Sequence, residues 1–381
     1  MRFRVEGRAY QSDGGDAPNA RIPQEVRARL GYPARVQKAS QKPGRQPGEK
    51  PGELVAIVGD GQMALVLSDV LSIRGFDVAL VAPFAADAER LEATRESPRL
   101  PGFRLPERVR VTADPAVLGD AHLAVCAIPT QFIRPTFARM AASLRPHTPV
   151  VSIAKGIEAD TFRLPCDILA EAVGGRPIAA LSGPTIAAEL ARRLPAVLVA
   201  ASDDAELAAR VQSVFTSPWT KVYQSSDLVG VELAGACKNV IAIAAGVADG
   251  LALGTNAKSA LLARGLAEIA RIGVALGGRV ETFFGVAGAG DLATTCFAPE
   301  GRNRSFGERL ARGQGVEQAL ASTQSVVEGV PTARALVRLA RSRAIELPIC
   351  EAVDAMVFDG LDPREALRQL MGRATATERI G

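Results

Sequence analysis

Histidine is almost missing from this chain: 381 residues carry only His122 and His147. The side chain most often used for proton transfer near neutral pH is therefore scarce. His122 opens the apolar run AHLAVCAIP, and His147 sits in the turn RPHTP ahead of another such run. In a parallel α/β sheet ligands gather at the carboxyl ends of strands, and both histidines stand at the opposite ends. Acid–base chemistry, if present, falls to a lysine or a carboxylate. Cysteine is sparse too. The five (Cys126, Cys166, Cys237, Cys296, Cys350) are widely spaced with no C-x-x-C, which speaks against a disulfide frame or a zinc site and for reduced core thiols of a cytoplasmic protein. No metal site is expected. No apolar run reaches membrane-spanning length without a charge or glycine-rich interruption, and no signal-peptide hydrophobic stretch follows the start. Large positive charge is also lacking where a fold would be. Residues 1–50 hold eleven Lys/Arg against five Asp/Glu, so with a net charge of +4 the remainder carries −2. That argues against nucleic acid as a partner.

What is present is core: 48% of residues are hydrophobic, and the length suits two or three domains. Residues 1–52 read as a flexible basic extension rich in Pro and Gly, with a short helix conceivable over Pro23–Leu30. At Glu53 the character changes. LVAIVG is a buried strand, GDGQMALVLSDVLSIRG a helix opened and closed by glycine, and FDVALVAP a second strand. Gly59-x-Gly61-x-x-Ala64 fits the dinucleotide-binding turn: Gly59 for the tight turn, Gly61 for close approach of a pyrophosphate, then free N–H groups at a helix start. The second strand ends in Val81-Ala82-Pro83-Phe84, without the carboxylate that holds a ribose diol. This argues against strict NAD use, and Arg90 and Arg95 are the nearest cations for a 2′-phosphate. NADP or NAD is expected, with NADPH slightly favoured. Strands HLAVCAIPT, PVVSIAKGI, PIAALSGPT and AVLVAA follow, with a helix interrupted near Pro135. After Trp219 and Tyr223 the pattern turns helical. The expected fold is α/β: a Rossmann-like doubly wound sheet over 53–226, then an all-α domain over 227–381.

The chain is organised around VELAGACKNVIAIAAGVADGLAL, residues 231–253. On a helix Ala234, Gly235, Ala242 and Ala245 share the face of its one lysine, Lys238. Two readings stand for it. Either the lysine snorkels out of a core helix, or burial lowers its pKa for proton transfer against a body that the small residues admit.

Further stretches carry chemistry: Lys155 in SIAKGIE, the turn Ser182-Gly183-Pro184-Thr185, the run AGAGDLATTC with Asp291 and Thr295, the segment Arg302-Asn303-Arg304, and VVEG with Val326 and Glu328. Each alone could be structural. Together they suit an anionic phosphate ester beside a carbonyl. From about Leu54 to Arg373 the chain resembles bacterial NAD(P)-dependent glycerol-3-phosphate dehydrogenases, with SGPTIAAEL, GACKNVIAIAAGVADGL, ARGLAEIARIG, AGAGDLATTC, GRNRSFG and VVEG in the family's order. The resemblance implies an all-α domain of the 6-phosphogluconate dehydrogenase C-terminal type, and reversible reduction of dihydroxyacetone phosphate to sn-glycerol 3-phosphate for glycerophospholipid synthesis, in a cytoplasmic homodimer. It implies Lys238 as proton donor and acceptor, with Asp291, Lys155 and Thr295 as catalytic partners. Lys155, Gly183, Thr185, Lys238, Asn239, Asp291, Arg302 and Asn303 are implied for substrate. Gly59, Gly61, Gln62, Met63, Lys155, Ala187, Arg302, Val326 and Glu328 are implied for cofactor. The chain departs from the family's pattern at Gln62 to Leu65, Thr255 and Gly301. Two other readings remain open at this point: a hydroxyacid or 6-phosphogluconate type dehydrogenase, and a cofactor-sensing protein without catalysis.

Overall fold

The computed structural model describes residues 52–323 and 326–374. The expected extension, its conceivable helix and the last few residues lie outside that range.

Among the described residues eight strands form one sheet, in the order β3 (Val109–Thr112), β2 (Asp77–Val81), β1 (Leu54–Val58), β4 (Leu123–Cys126), β5 (Val150–Ser152), β6 (Ile178–Ser182), β7 (Ala196–Ala201) and β8 (Thr220–Ser225). β1 (Leu54–Val58) is apolar at every position and buried from Val55 on, because a parallel strand in mid-sheet is covered on both faces. It pairs in parallel with β2 (Asp77–Val81) on one side and β4 (Leu123–Cys126) on the other. The helix between them, α1 (Gln62–Ile73), buries nine consecutive residues, Ala64 to Ser72. β5 (Val150–Ser152) and β6 (Ile178–Ser182) extend the parallel set. The carboxyl ends of β1, β4, β5 and β6 thus open on one edge. Helices α2 (Ala85–Thr94), α3 (Ile133–Met140), α4 (Pro165–Val173), α5 (Ala187–Ala191) and α6 (Ala205–Phe215) complete this half.

The sheet departs from expectation in three ways. β3 (Val109–Thr112) was not foreseen, because its alternation of buried valine with exposed Arg110 is too short to read as a strand. β8 (Thr220–Ser225), just ahead of the expected change to helices, was not foreseen either, and its buried Thr220 and Val222 alternate with exposed Lys221 and Tyr223, as on an edge strand. β7 (Ala196–Ala201) pairs antiparallel with β6 and parallel with β8, so the last two strands run against the rest. The carboxyl end of β7 therefore faces away from the edge where the other strands end. Pro135 does not interrupt its helix either. It falls in the first turn of α3, where a missing N–H costs nothing.

The second half is helical. α7 (Leu228–Gly250) runs through its core with eighteen of its residues buried. By length and mean hydropathy (1.6) it could cross a membrane, since Glu232 and Lys238 are too few to lower the average; yet 83% of that window is buried inside the chain. α8 (Gly254–Ala275), α9 (Val280–Phe284), a π-turn at Val286–Gly290, α10 (Asp291–Phe297) and α11 (Arg302–Ala311) follow, then α12 (Val316–Ala321), α13 (Gly329–Arg341), α14 (Pro348–Phe358) and α15 (Pro363–Met371). α7 and α11 meet backbone to backbone. A Cβ on Gly246 would stand 1.9 Å from Arg304 O, and one on Gly307 2.0 Å from Ile243 O. This close crossing fixes the start of α11 relative to Lys238.

Candidate active site

The glycine turn leaves β1 at Gly59, whose φ is +124° and whose N–H donates to Val81 O at 2.8 Å. A Cβ there would meet Ala127 O at 2.4 Å, so only glycine fits. Gly61 differs: a Cβ there would meet nothing within 4 Å. The protein does not need glycine at 61, but a ligand approaching the backbone would. Behind it α1 starts with no side-chain cap and no acidic residue in its first turn. Its N–H groups are thus left to an outside acceptor, which fits a dinucleotide's pyrophosphate. Gln62 is exposed and donates through Nε2 to Arg99 O at 2.5 Å, while Arg99 also forms an ion pair with Asp60 inside the turn. Met63 packs against the sheet-side core.

The other expected residues converge where the parallel strands end. Asp291 begins α10 after the π-turn, and it is 1% exposed. Its carboxylate lies between two ammonium groups: Lys238 Nζ donates to Oδ1 at 2.6 Å and Lys155 Nζ to Oδ2 at 2.7 Å. Lys238 also donates to Thr295 Oγ1 at 2.6 Å, one helical turn along α10. Lys155, three residues past the end of β5, donates to Gly183 O at 2.9 Å, just past the end of β6. With both lysines charged the group carries one net positive charge, which suits an anion. Burial pushes the Lys238 ammonium down to about 8; Asp291 opposes this shift and Lys155 adds to it. The small face of α7 has a visible use. A Cβ on Gly235 would lie 3.2 Å from Ser182 Oγ and 3.4 Å from Lys155 Cγ, so this face lets Lys155 in.

Gly183 holds φ at +138°, and a Cβ there would meet Val197 O at 2.7 Å. Thr185 Oγ1 donates to Gly183 O at 3.2 Å. Ala187 starts α5 buried in the sheet-side core, which leaves its backbone for any ligand. Asn239 and Asn303 form a relay: Asn239 Nδ2 donates to Lys155 O and Asn303 Nδ2 donates to Asn239 Oδ1, each at 3.0 Å. Gly329 N then donates to Asn303 Oδ1 at 2.9 Å. Arg302, exposed at the start of α11, donates to Val326 O at 3.0 Å. Glu328 Oε1 accepts from Thr130 N at 3.2 Å, and burial pushes its carboxyl up to about 7.

Gly329 and Arg99 were not foreseen, and Thr130 and Ser182 stood in the sequence only as polar strand ends. Thr130, four residues past β4, and Ser182, the last residue of β6, carry buried hydroxyls with no partner among the described residues. Gly329 is required because a Cβ would stand 2.7 Å from Asn239 O. Arg99 reaches the glycine turn from a loop. Of these, only Thr130 and Ser182 had a readable signal, a hydroxyl closing an apolar strand.

A Rossmann-type sheet with an open glycine turn, joined to a helical half that sets a buried lysine against an aspartate, defines an NAD(P)-linked oxidoreductase. Residues 54–208 match the family described as NAD-dependent glycerol-3-phosphate dehydrogenase N-terminus, and residues 227–368 match its C-terminus. The chain belongs to this NAD-dependent glycerol-3-phosphate dehydrogenase family. It is 42% identical over 332 residues to a protein of Thermobifida fusca named glycerol-3-phosphate dehydrogenase [NAD(P)+], covering 86% of this chain and 99% of that one. A protein of the same name from Thermus thermophilus is 44% identical over 328 residues, 85% of this chain and 99% of the relative. The crystal structure of glycerol-3-phosphate dehydrogenase from Coxiella burnetii superposes with a TM-score of 0.81 at 32% identity, covering 84% of this chain and 99% of that one.

Proposed function

We propose that this chain interconverts dihydroxyacetone phosphate and sn-glycerol 3-phosphate with NADPH or NADH. The observation that carries the reading is Asp291 held between Lys238 and Lys155. In the reductive direction Lys238 gives a proton to the substrate oxygen as it gains charge, and in the oxidative direction it takes one back. Asp291 and Thr295 hold the Lys238 ammonium in place, so its position is fixed before substrate arrives. Lys155 adds a second positive charge beside the reacting oxygen. Arg302 grips the substrate phosphate, and the Asn239–Asn303 relay fixes Arg302's helix against α7. The nicotinamide, when bound, supplies or takes up the hydride. Gly59, Gly61 and the start of α1 hold its pyrophosphate, with Gln62 and Met63 beside the turn. Ala187, Val326 and Glu328 complete the cofactor's surroundings, and Gly183 and Thr185 the substrate's.

Finer parts belong to the same reading. The division into 53–226 and 227–381 is supported by the change from β8 to α7 between Ser225 and Leu228. A cytoplasmic location is supported by five free cysteines, all buried. The homodimer and the supply of glycerophospholipid synthesis rest on the family resemblance. NADPH preference rests on the missing carboxylate after β2.

The test is a steady-state absorbance assay with dihydroxyacetone phosphate and each reduced cofactor. Turnover with the phosphate ester and none with 2- or 3-hydroxy acids in the reverse direction is expected. Tight NADPH binding without turnover on any phosphate ester would sink the reading.

A further inference from the structure

In a doubly wound sheet the adenosine ribose of a dinucleotide lies just outside the carboxyl end of the second strand. Here that end is Val81-Ala82-Pro83-Phe84, with neither a carboxylate for the ribose diol nor a cation for a 2′-phosphate, and Phe84 is exposed. Charge reaches the place from elsewhere. Asp60 comes from the glycine turn, Asp87 from the first turn of α2, and Arg99 from the loop after α2. The Arg99 guanidinium pairs with Asp60 on one side, and its Nη2 stands 4.0 Å from Asp87 Oδ2 on the other. Its carbonyl is held by Gln62 Nε2. The two arginines nearer in sequence are otherwise committed. Arg95 has a buried side chain that donates to Val109 O and pairs with Glu92 and Glu107. Arg90 pairs with Asp87 at 2.5 Å and is turned toward solvent.

We propose that Arg99 is the specificity-determining residue for the cofactor: it holds the 2′-phosphate of NADPH, and its ion pair with Asp60 sets how firmly. The proposal rests on the dinucleotide reading above. Arg99 carries five donors and is 35% exposed, so it can turn one edge to a phosphate while the other stays on Asp60. A guanidinium shared between two carboxylates has its field partly spent, so the phosphate gains less than it would from a free arginine. A bare 2′-hydroxyl meets no repulsion. Both cofactors are then accepted, and the balance between them lies in Asp60 and Arg99.

The test measures dissociation constants of NADPH and NADH by their fluorescence on the full chain without substrate, with 2′,5′-ADP and 5′-AMP as competitors. Wild type, Arg99→Gln, Arg99→Lys and Asp60→Asn are compared, and thermal unfolding of each reports folding separately. Arg99→Gln should weaken NADPH and 2′,5′-ADP by about tenfold or more, as loss of a charge-assisted hydrogen bond does, with NADH and 5′-AMP moving less than about threefold. Arg99→Lys should retain part of the NADPH preference. Asp60→Asn should tighten NADPH and leave NADH nearly unchanged. Equal weakening of both cofactors in Arg99→Gln makes Arg99 a brace of the turn and overturns the proposal. So does an NADPH affinity that Arg99→Gln leaves unchanged or Asp60→Asn fails to raise. A wild type that binds NADH but not NADPH overturns the proposal alone, and one that binds neither takes the dinucleotide reading with it.

Discussion

The lysine–aspartate centre and the glycine turn do their work by opposite means. At the centre everything is side chain, buried and in contact: Asp291 with Lys238 and Lys155 at 2.6 and 2.7 Å. At the turn the phosphate cradle is backbone, and Gly61 faces open space. By the resemblance read from the sequence, the centre keeps the family's motifs, whereas the turn departs from them at Gln62-Met63-Ala64-Leu65. The contrast has a physical cause. A buried ion group loses several kcal/mol if one member leaves, so its residues are mutually fixed. A phosphate cradle of N–H groups asks only that the backbone be reachable, so the side chains around it are free to change.

The largest expected effect tests the centre. Lys238→Ala should lower kcat by about 10²–10⁴-fold, the usual worth of positioned acid–base help, with NADPH affinity nearly unchanged. Near wild-type turnover in that variant would remove Lys238 from the mechanism. Asp291→Asn should cost about 3–5 kcal/mol of stability, because two ammonium groups then face each other without their carboxylate. Urea unfolding reads this, and a loss below about 1 kcal/mol would mean that the network is not stabilising. Arg302→Gln should raise KM for dihydroxyacetone phosphate by about tenfold or more, the scale of one charged hydrogen bond, with a smaller change for dihydroxyacetone, which lacks the phosphate. Equal changes for both substrates would place Arg302 away from the phosphate.

The pH dependence sharpens the same contrast. On the proposed mechanism reduction needs Lys238 protonated, so its rate should fall as pH rises through about 8, and oxidation, which needs the free amine, should rise over the same range. Asp291→Asn removes the charge that favours the ammonium, so it should move this transition to lower pH. A transition that stays put would assign the titration to another group. The smallest effect belongs to the turn. Gly61→Ala should cost less than about 1 kcal/mol of stability while weakening both cofactors, since the new methyl meets only the space that a ligand needs. Gly59→Ala should instead destabilise the fold by about 1–3 kcal/mol by crowding Ala127 O. Similar effects at the two glycines would erase the distinction drawn between them.

Much of this is legible in the sequence alone, and the limits follow from range. The β1–turn–α1–β2 unit spans residues 54–81, where pattern and contact are the same thing. Lys238 on a face of small residues is likewise local, because helix geometry alone brings Gly235 and Ala242 to its side. The scarcity of histidine, read without any structure, narrowed acid–base chemistry to a lysine or a carboxylate. Edge strands β3 and β8 were missed because one exposed face breaks the apolar run that marks a strand. The reversal of β7 is invisible in AVLVAA, which reads alike in either direction.

The sequence by itself determined which groups could do chemistry: two lysines, one aspartate, an arginine–asparagine pair and an open glycine turn. Only the tertiary structure decided how they combine. Lys155 and Asp291 are 136 residues apart and Lys238 and Asp291 are 53 apart, yet one carboxylate serves both. It also decided that Asn239 and Asn303 join in a relay closed by Gly329, and that Arg99 rather than Arg90 or Arg95 faces the turn. Periodicity fixes which face a residue takes on its own element. Which faces then meet depends on how whole elements pack, here on glycines that let α11 lie against α7 and on a π-turn that delivers Asp291 between two lysines.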